Sequence, residues 1–420
     1  MHGDKPTQRI VPASSAPSPF AAATSVFNAG KQAKQQAHTT GRPAGRSLPP
    51  LDPSQLQVRH DLQLPGTKHI RRGQTKYDAV FRQLTADGIS VTGIPIAYEK
   101  AIRSAVKPYM SSDLRASLWQ LVNSICPFFI LWYVAYRALE ISIWASLPFS
   151  MLAGLFAVRI FIIFHDVGHG SFFKQRWAND LVGTLTGLIV FTPYYSWRQA
   201  HAIHHATSGD LDHRGVGDIW TLTRAEYDKL PTWKRIAYRL YRNPVVIFGF
   251  GPVIDFVVLQ RLPIFNSAAT SREKWSLHGT NLALAGIFFG MWGTIGLAPY
   301  IAVQLPVIMV ASGVGVWMFY VQHQYENTYW EYHDKWDFAQ ASLYGSSFYM
   351  LPKPLQWFTG NIGFHHIHHL APKIPNYKLE ECHNSHELFQ SVEPMTLKTS
   401  LKSLFVRVWD EDRARMIGYH

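Results

Sequence analysis

Residues 365–369 read HHIHH, four histidines in five positions, directly after the turn-like stretch GNIGF. Two more clusters share that character: HDVGH, with His165 and His169, and HAIHH, with His201, His204 and His205. His365, His368 and His369 repeat the H-x-x-H-H spacing of the second cluster. On a helix, residues three and four apart lie on one face, so each cluster aims two or three imidazoles at one point. Neutral imidazole is a ligand for iron, zinc, copper and nickel. Eight such donors exceed what one tetrahedral zinc takes, and they suit two iron atoms with positions left open for oxygen. A lone histidine is more simply a hydrogen-bonded or interfacial residue; three patterned clusters, two of identical spacing, are not.

A single centre that sees all three clusters constrains the elements that carry them. The chain has 420 residues, and long apolar runs occupy 121–138 and 141–164, then 281–298 and 301–321. Each is about long enough to cross a hydrocarbon core, and each pair is joined by a short turn, so two hairpins are expected. The stretches 180–197 and 243–260 are shorter or interrupted by Gly, Pro and Asp255, and read as interfacial or re-entrant. If 180–197 crossed, the first and second clusters would face opposite sides of the bilayer. Neither stretch is therefore expected to cross. Strand-like alternation is scarce.

The charge pattern orients this arrangement. There are 40 Lys+Arg against 28 Asp+Glu, a net charge of +12, with 14% aromatic residues. The basic excess lies before residue 121 and within 198–280, so the positive-inside rule puts both termini, that segment and all three clusters in the cytosol. A membrane surface, not nucleic acid, accounts for the charge. Two cysteines make neither a disulfide framework nor a thiolate metal site, which excludes a zinc finger. The expected fold is an all-α integral membrane protein: four transmembrane helices in two hairpins, with a cytosolic helical cap carrying a histidine-rich di-iron site. Residues 1–60, rich in Ala, Ser and Pro and nearly free of acids, read as a disordered basic tail or a targeting segment. Residues 61–116 form a cytosolic lead-in, 117–400 the membrane domain, and 401–420 a C-terminal tail.

The clusters, their order and their flanks resemble the membrane fatty-acid desaturase family, specifically its acyl-lipid delta-12/omega-6 branch. The supporting stretches are HATSGDLDHRGVGDIWTL, FYVQHQYENTYW at 319–330, and LQWFTGNIGFHHIHHLAPKIPNYKLEECH. The resemblance implies a di-iron, O2-dependent enzyme that removes two hydrogens from an acyl chain of a membrane lipid, converting oleoyl to linoleoyl. It implies electrons from a separate protein, cytochrome b5 or ferredoxin, and a home in the endoplasmic reticulum or the bacterial inner membrane. His165, His169, His201, His204, His205, His365, His368 and His369 match the family's iron ligands, and His323 matches its additional histidine outside the clusters. The acyl-CoA branch has Asn where this chain has Phe319, and Asn361 is a weak substitute. Three residues separate the histidines of the first cluster, as in acyl-lipid enzymes. The third cluster opens with His365, where front-end desaturases have Gln, and no H-P-G-G stretch marks a fused cytochrome b5 domain.

Asp166, Asp210, Asp212 and Asp218 are candidates to orient imidazoles through their distal N–H. His213, His333, His383 and His386 lack the spacing and read as surface residues. Arg159, deep in the second span, has to snorkel or pair with an acid. The competing readings are another regiospecificity (omega-3, delta-5 or delta-9), a di-iron membrane hydroxylase, and a metal transporter. A transporter puts ligands inside its spans, whereas these lie at span ends.

Overall fold

The computed structural model describes residues 102–263 and 270–419, Arg103 excepted. The expectations for 1–60 and for most of the lead-in fall outside the described residues. In chain order the helices that matter are α1 (Leu114–Ala138), α2 (Ile143–His169), α3 (Arg176–Ile189), α4 (Tyr194–Thr207), α5 (Arg224–Lys229), α6 (Thr232–Tyr241) and α7 (Gly251–Val257). They continue with α8 (Ser271–Ile295), α9 (Leu297–His323), α10 (Phe338–Tyr344), α11 (Lys353–Phe358), α12 (His365–Leu370) and α13 (Leu379–Asn384).

The long helices begin at side-chain caps. The Asp113 carboxylate accepts the Ala116 N–H at the start of α1, and Ser142 Oγ accepts the Ala145 N–H at the start of α2. Thr270 and Glu273 form a reciprocal capping box on α8. By length and composition, α1, α2 and α9 can cross a membrane. At about 1.5 Å per residue, each exceeds the ~30 Å hydrocarbon thickness.

Of the other expected span, 281–298, residues 281–295 lie in α8, which stops at Gly296, and residues 297–298 already belong to α9. At 25 residues α8 is long enough, but its polar first third and its glycines leave it less apolar than the other three. Three spans therefore meet the requirement where four were expected. A further candidate is the bent pair Thr232–Tyr241 and Val246–Arg261, angled at 55°. The stretch 180–197 is entered by α3, which starts at Arg176 and has only 14 residues, about 21 Å of rise, too short to cross.

Central α2 packs between α1 and α9, with Phe128, Ala153, Phe156, Ala157, Ile160 and Val307 buried together. Gly154 permits the close approach to α9: a Cβ there would stand 2.7 Å from Val310 Cβ and 3.0 Å from the Val307 carbonyl. The far sides of α1, α8 and α9 leave Trp119, Phe129, Ile130, Leu282, Phe289 and Ile301 exposed, an apolar surface suited to lipid.

The described residues are mostly helical, yet five short strands occur, so the all-α expectation is amended. They are β1 (Leu222–Thr223), β2 (Phe348–Met350), β3 (Pro394–Thr396), β4 (Val408–Asp410) and β5 (Arg415–Ile417). β4 runs parallel to β1, with Leu222 opposite Val408, and antiparallel to β5; β2 runs parallel to β3. Residues 401–419 thus fold back on the region after α4. Fully buried Arg242 reinforces this join, donating to the Trp220 and Val406 carbonyls, the Tyr320 hydroxyl and Gln324 Oε1.

Candidate metal centre

Four helix ends meet at one place. α2 brings His165 and His169 in its last turns and stops at once, because Gly170 takes a left-handed conformation (φ 65°) and its N–H returns to the Val167 carbonyl. α4 brings His201, His204 and His205. α9 ends on His323, and α12 is a six-residue helix made almost entirely of the third cluster.

The nine histidines divide into two groups. His165, His169, His201, His205 and His368 form one; His204, His323, His365 and His369 form the other. Within each group the ligating atoms lie within 4.8 Å of one another. Nε2 of His205 is 3.2 Å from that of His201 and 3.0 Å from that of His368, and the Nε2 atoms of His323 and His365 are 2.9 Å apart. The rings of His205 and His369 stack at 4.1 Å and join the groups. Every i,i+4 pair stays together: 165 with 169, 201 with 205, 365 with 369. Each i+3 residue, His204 or His368, turns into the other group. The expectation that each cluster aims at one point is corrected on this ground, since neighbouring positions on a helix differ by about 100°.

The groups are largely enclosed, with His169 and His201 partly exposed. His165, His204, His205, His323, His365, His368 and His369 are all buried. Burial first, then neighbouring imidazoles, holds His201, His205, His365, His368 and His369 well below the ordinary histidine value, so they are neutral donors at neutral pH. Nε2 of His165, His169, His204 and His369 has no hydrogen-bond partner. A buried polar atom left unpaired costs about 1–3 kcal/mol, and four such atoms in two clusters fit metal ions as the missing partners.

The opposite ring nitrogens are held by the protein. His204 Nδ1 meets Asp218 Oδ1 at 2.6 Å, and His165 Nδ1 meets Asp166 Oδ1 at 3.1 Å. His323 Nδ1 meets the Gly345 carbonyl at 3.1 Å. Each contact selects the tautomer whose Nε2 lone pair faces the cluster. Asp166 Oδ2 in turn accepts the backbone N–H and side-chain amide of Asn376, whose amide also pairs with Gln120. Nothing in the spacing of Asn376 or Gln120 distinguishes them in the sequence.

Asp210 is not beside the nine imidazoles: its carboxylate meets His213 and His333. Asn361 takes a left-handed turn (φ 57°) and bonds Gln356 and Asn376, so among the described contacts it holds no cluster histidine. Asp212 accepts the His333 N–H. His366, the fourth histidine of HHIHH, points away to His383 at 3.1 Å, and its pKa is lowered by burial to about 3. His383 is therefore buried, not a surface residue. Arg159 neither snorkels nor meets an acid; it lies 3.9 Å over the Trp357 ring and donates to the Trp357 carbonyl. Trp197 stacks on His201 at 4.4 Å, and Phe319 packs against His204 and His323.

Comparisons with known proteins point to one family. The model of the family described as fatty acid desaturase matches residues 142–395. The chain is 45% identical to a fatty acid desaturase of Bacillus subtilis over 322 residues, 76% of this chain and 91% of that one. It is 29% identical to an sn-1 oleoyl-lipid 12-desaturase of Picosynechococcus over 265 residues, 60% and 72% of the two chains. It is 28% identical to an sn-1 acyl-lipid omega-3 desaturase (ferredoxin) of Nostoc over 253 residues, 56% and 66%. With the paired histidine groups, these likenesses identify the chain as an oxidoreductase of the fatty acid desaturase family, in its acyl-lipid branch.

Proposed function

We propose that this protein introduces a cis double bond into acyl chains of membrane lipids, at the delta-12 position, converting oleoyl to linoleoyl. The observation that carries the reading is the pair of adjoining imidazole groups, in which the Nε2 atoms of His165, His169, His204 and His369 are buried without a partner. Five histidines of one group and four of the other would each hold one iron ion. Bound iron supplies the oxidising power, drawn from O2, that an unactivated methylene requires. The acyl chain gives up two hydrogens; these, with two electrons from a separate protein and two protons, reduce O2 to two waters.

The chain's own residues bind, orient and exclude water. Asp166, Asp218 and the Gly345 carbonyl fix imidazole orientation. Trp197 and Phe319 close apolar surface against the ligand rings, which suits a hydrocarbon neighbour. α8 is the fourth crossing, and the histidine groups and both termini face the cytosol. Delta-12 chemistry is supported by relatives named oleoyl-lipid 12-desaturase, and ferredoxin as donor by the relative whose name carries it. Cytochrome b5 is the other donor of suitable chemistry. The omega-3 position is the second reading, supported by the Nostoc relative at nearly the same identity.

Expression in a host that makes oleoyl but no polyunsaturated lipids, followed by mass spectrometry of the fatty acids, tests the reading. Linoleoyl chains are expected. A new bond only at delta-9 in saturated chains would overturn the position, and a hydroxylated chain would overturn the reaction.

A further inference from the structure

A third cluster of donors lies outside the nine histidines. Asp210 is 2% exposed, and its Oδ2 stands 2.7 Å from His213 Nδ1 and 2.7 Å from His333 Nδ1. The two rings meet edge to face at 4.5 Å, with side chains 46% and 62% exposed. We propose that Asp210, His213 and His333 form a separate site for one divalent cation of zinc's class, with an open coordination position toward solvent.

The donor set argues for this chemistry. Two imidazole nitrogens and one carboxylate oxygen suit zinc and its neighbours, whereas magnesium and calcium prefer all-oxygen sets. Zinc binds such donors at about 2.0–2.2 Å, and tetrahedral geometry then spaces them roughly 3.3 Å apart. The present 2.7 Å contacts need to open by only about half an ångström. Metal would take the place of the protons that now sit between each Nδ1 and the shared oxygen.

The site is also built rather than incidental. Two segments distant in sequence are locked together by the Leu211 N–H to the Glu331 carbonyl and the Glu331 N–H to the Gly209 carbonyl, both at 2.9 Å. Asp210 Oδ1 accepts the Asp212 N–H, and Asp212 Oδ2 accepts the His333 N–H, each at 3.0 Å. This holds the oxygen and one imidazole in place. One segment follows α4, which carries His204; the other follows α9, which ends on His323. An occupied site would brace these two elements from outside, independently of what the nine histidines bind.

The test uses full-length, iron-loaded protein in detergent, freed of loosely held metal and titrated with Co2+, then Zn2+. One Co2+ per chain should bind with visible bands of low-symmetry coordination and be displaced by Zn2+, while iron content stays constant. His333→Ala and His213→Ala, both at exposed positions, should each weaken that binding by at least about tenfold. They should also abolish any zinc-dependent rise in thermal midpoint, with iron unchanged. Equal cobalt affinity in the original protein and both variants would overturn the site. So would absence of the bands, or cobalt entering only as iron leaves.

Discussion

His204 Nδ1 lies 2.6 Å from Asp218 Oδ1, and its Nε2 is buried without a partner. One carboxylate thus sets which nitrogen of His204 faces the four-histidine group. Replacing Asp218 by Ala removes that orientation without touching a ligand. Iron retention against a chelator should fall roughly 10–100-fold. Unchanged retention would mean that ring packing alone aligns His204.

The division of the second cluster between two groups has its own consequence. His204→Ala should abolish activity and lower iron toward one ion per chain, because it belongs to the four-histidine group. Membrane insertion should be unaffected, as α4, at 14 residues, is shorter than a membrane span requires. Iron and activity both at full level would remove His204 from the site.

HHIHH contains one residue of a different kind. His366 faces His383 and the ring of Phe348, and the Phe364 ring packs on His383 in turn. His366→Gln should keep both irons, at a stability cost of about 1–3 kcal/mol for disturbing a buried polar pair. His365→Ala should not keep both. Equal iron loss in the two variants would contradict the division of roles.

Gly154 sets the spacing of α2 and α9. A Cβ there meets Val310 Cβ at 2.7 Å and the Val307 carbonyl at 3.0 Å, so Gly154→Val has to push the helices apart. Overpacking of this kind costs typically about 1–3 kcal/mol. The thermal midpoint in detergent should drop, with iron affinity falling as His165 and His323 move relative to each other. An unchanged midpoint would show that the helices have slack.

The proposed four crossings give a labelling pattern. In a variant lacking Cys126 and Cys382, single cysteines at the exposed positions Lys229 and Lys373 should react from the cytosolic side, and those at Glu140 and Ala298 from the other. Ala298 labelling from the cytosolic side would mean that α8 does not cross.

What could be read from residue order follows the range of the forces involved. The three clusters were legible because a helix repeats every ~3.6 residues, so spacing alone puts the imidazoles on one face. Their division into two groups was not, since it depends on how α4 and α12 are rotated against α2 and α9. Asp218, rather than Asp210, reaches His204 because the loop between them turns back on α4, and no local pattern encodes that path. Asn376 reaches Asp166 across 210 residues. α1, α2 and α9 were legible as apolar runs; 281–298 was legible as an equal run, but the helix that holds most of it, α8, begins with a polar third outside that run. Strands of two or three residues are too short to show alternation, so the pairing of β4 with β1 left no signal.

Iron stoichiometry of the purified, active protein tests the central claim most directly. Two irons per chain are expected, falling toward one in both His323→Ala and His204→Ala. A single zinc with no iron, or one iron that both variants leave untouched, would contradict a centre built from two groups of histidines.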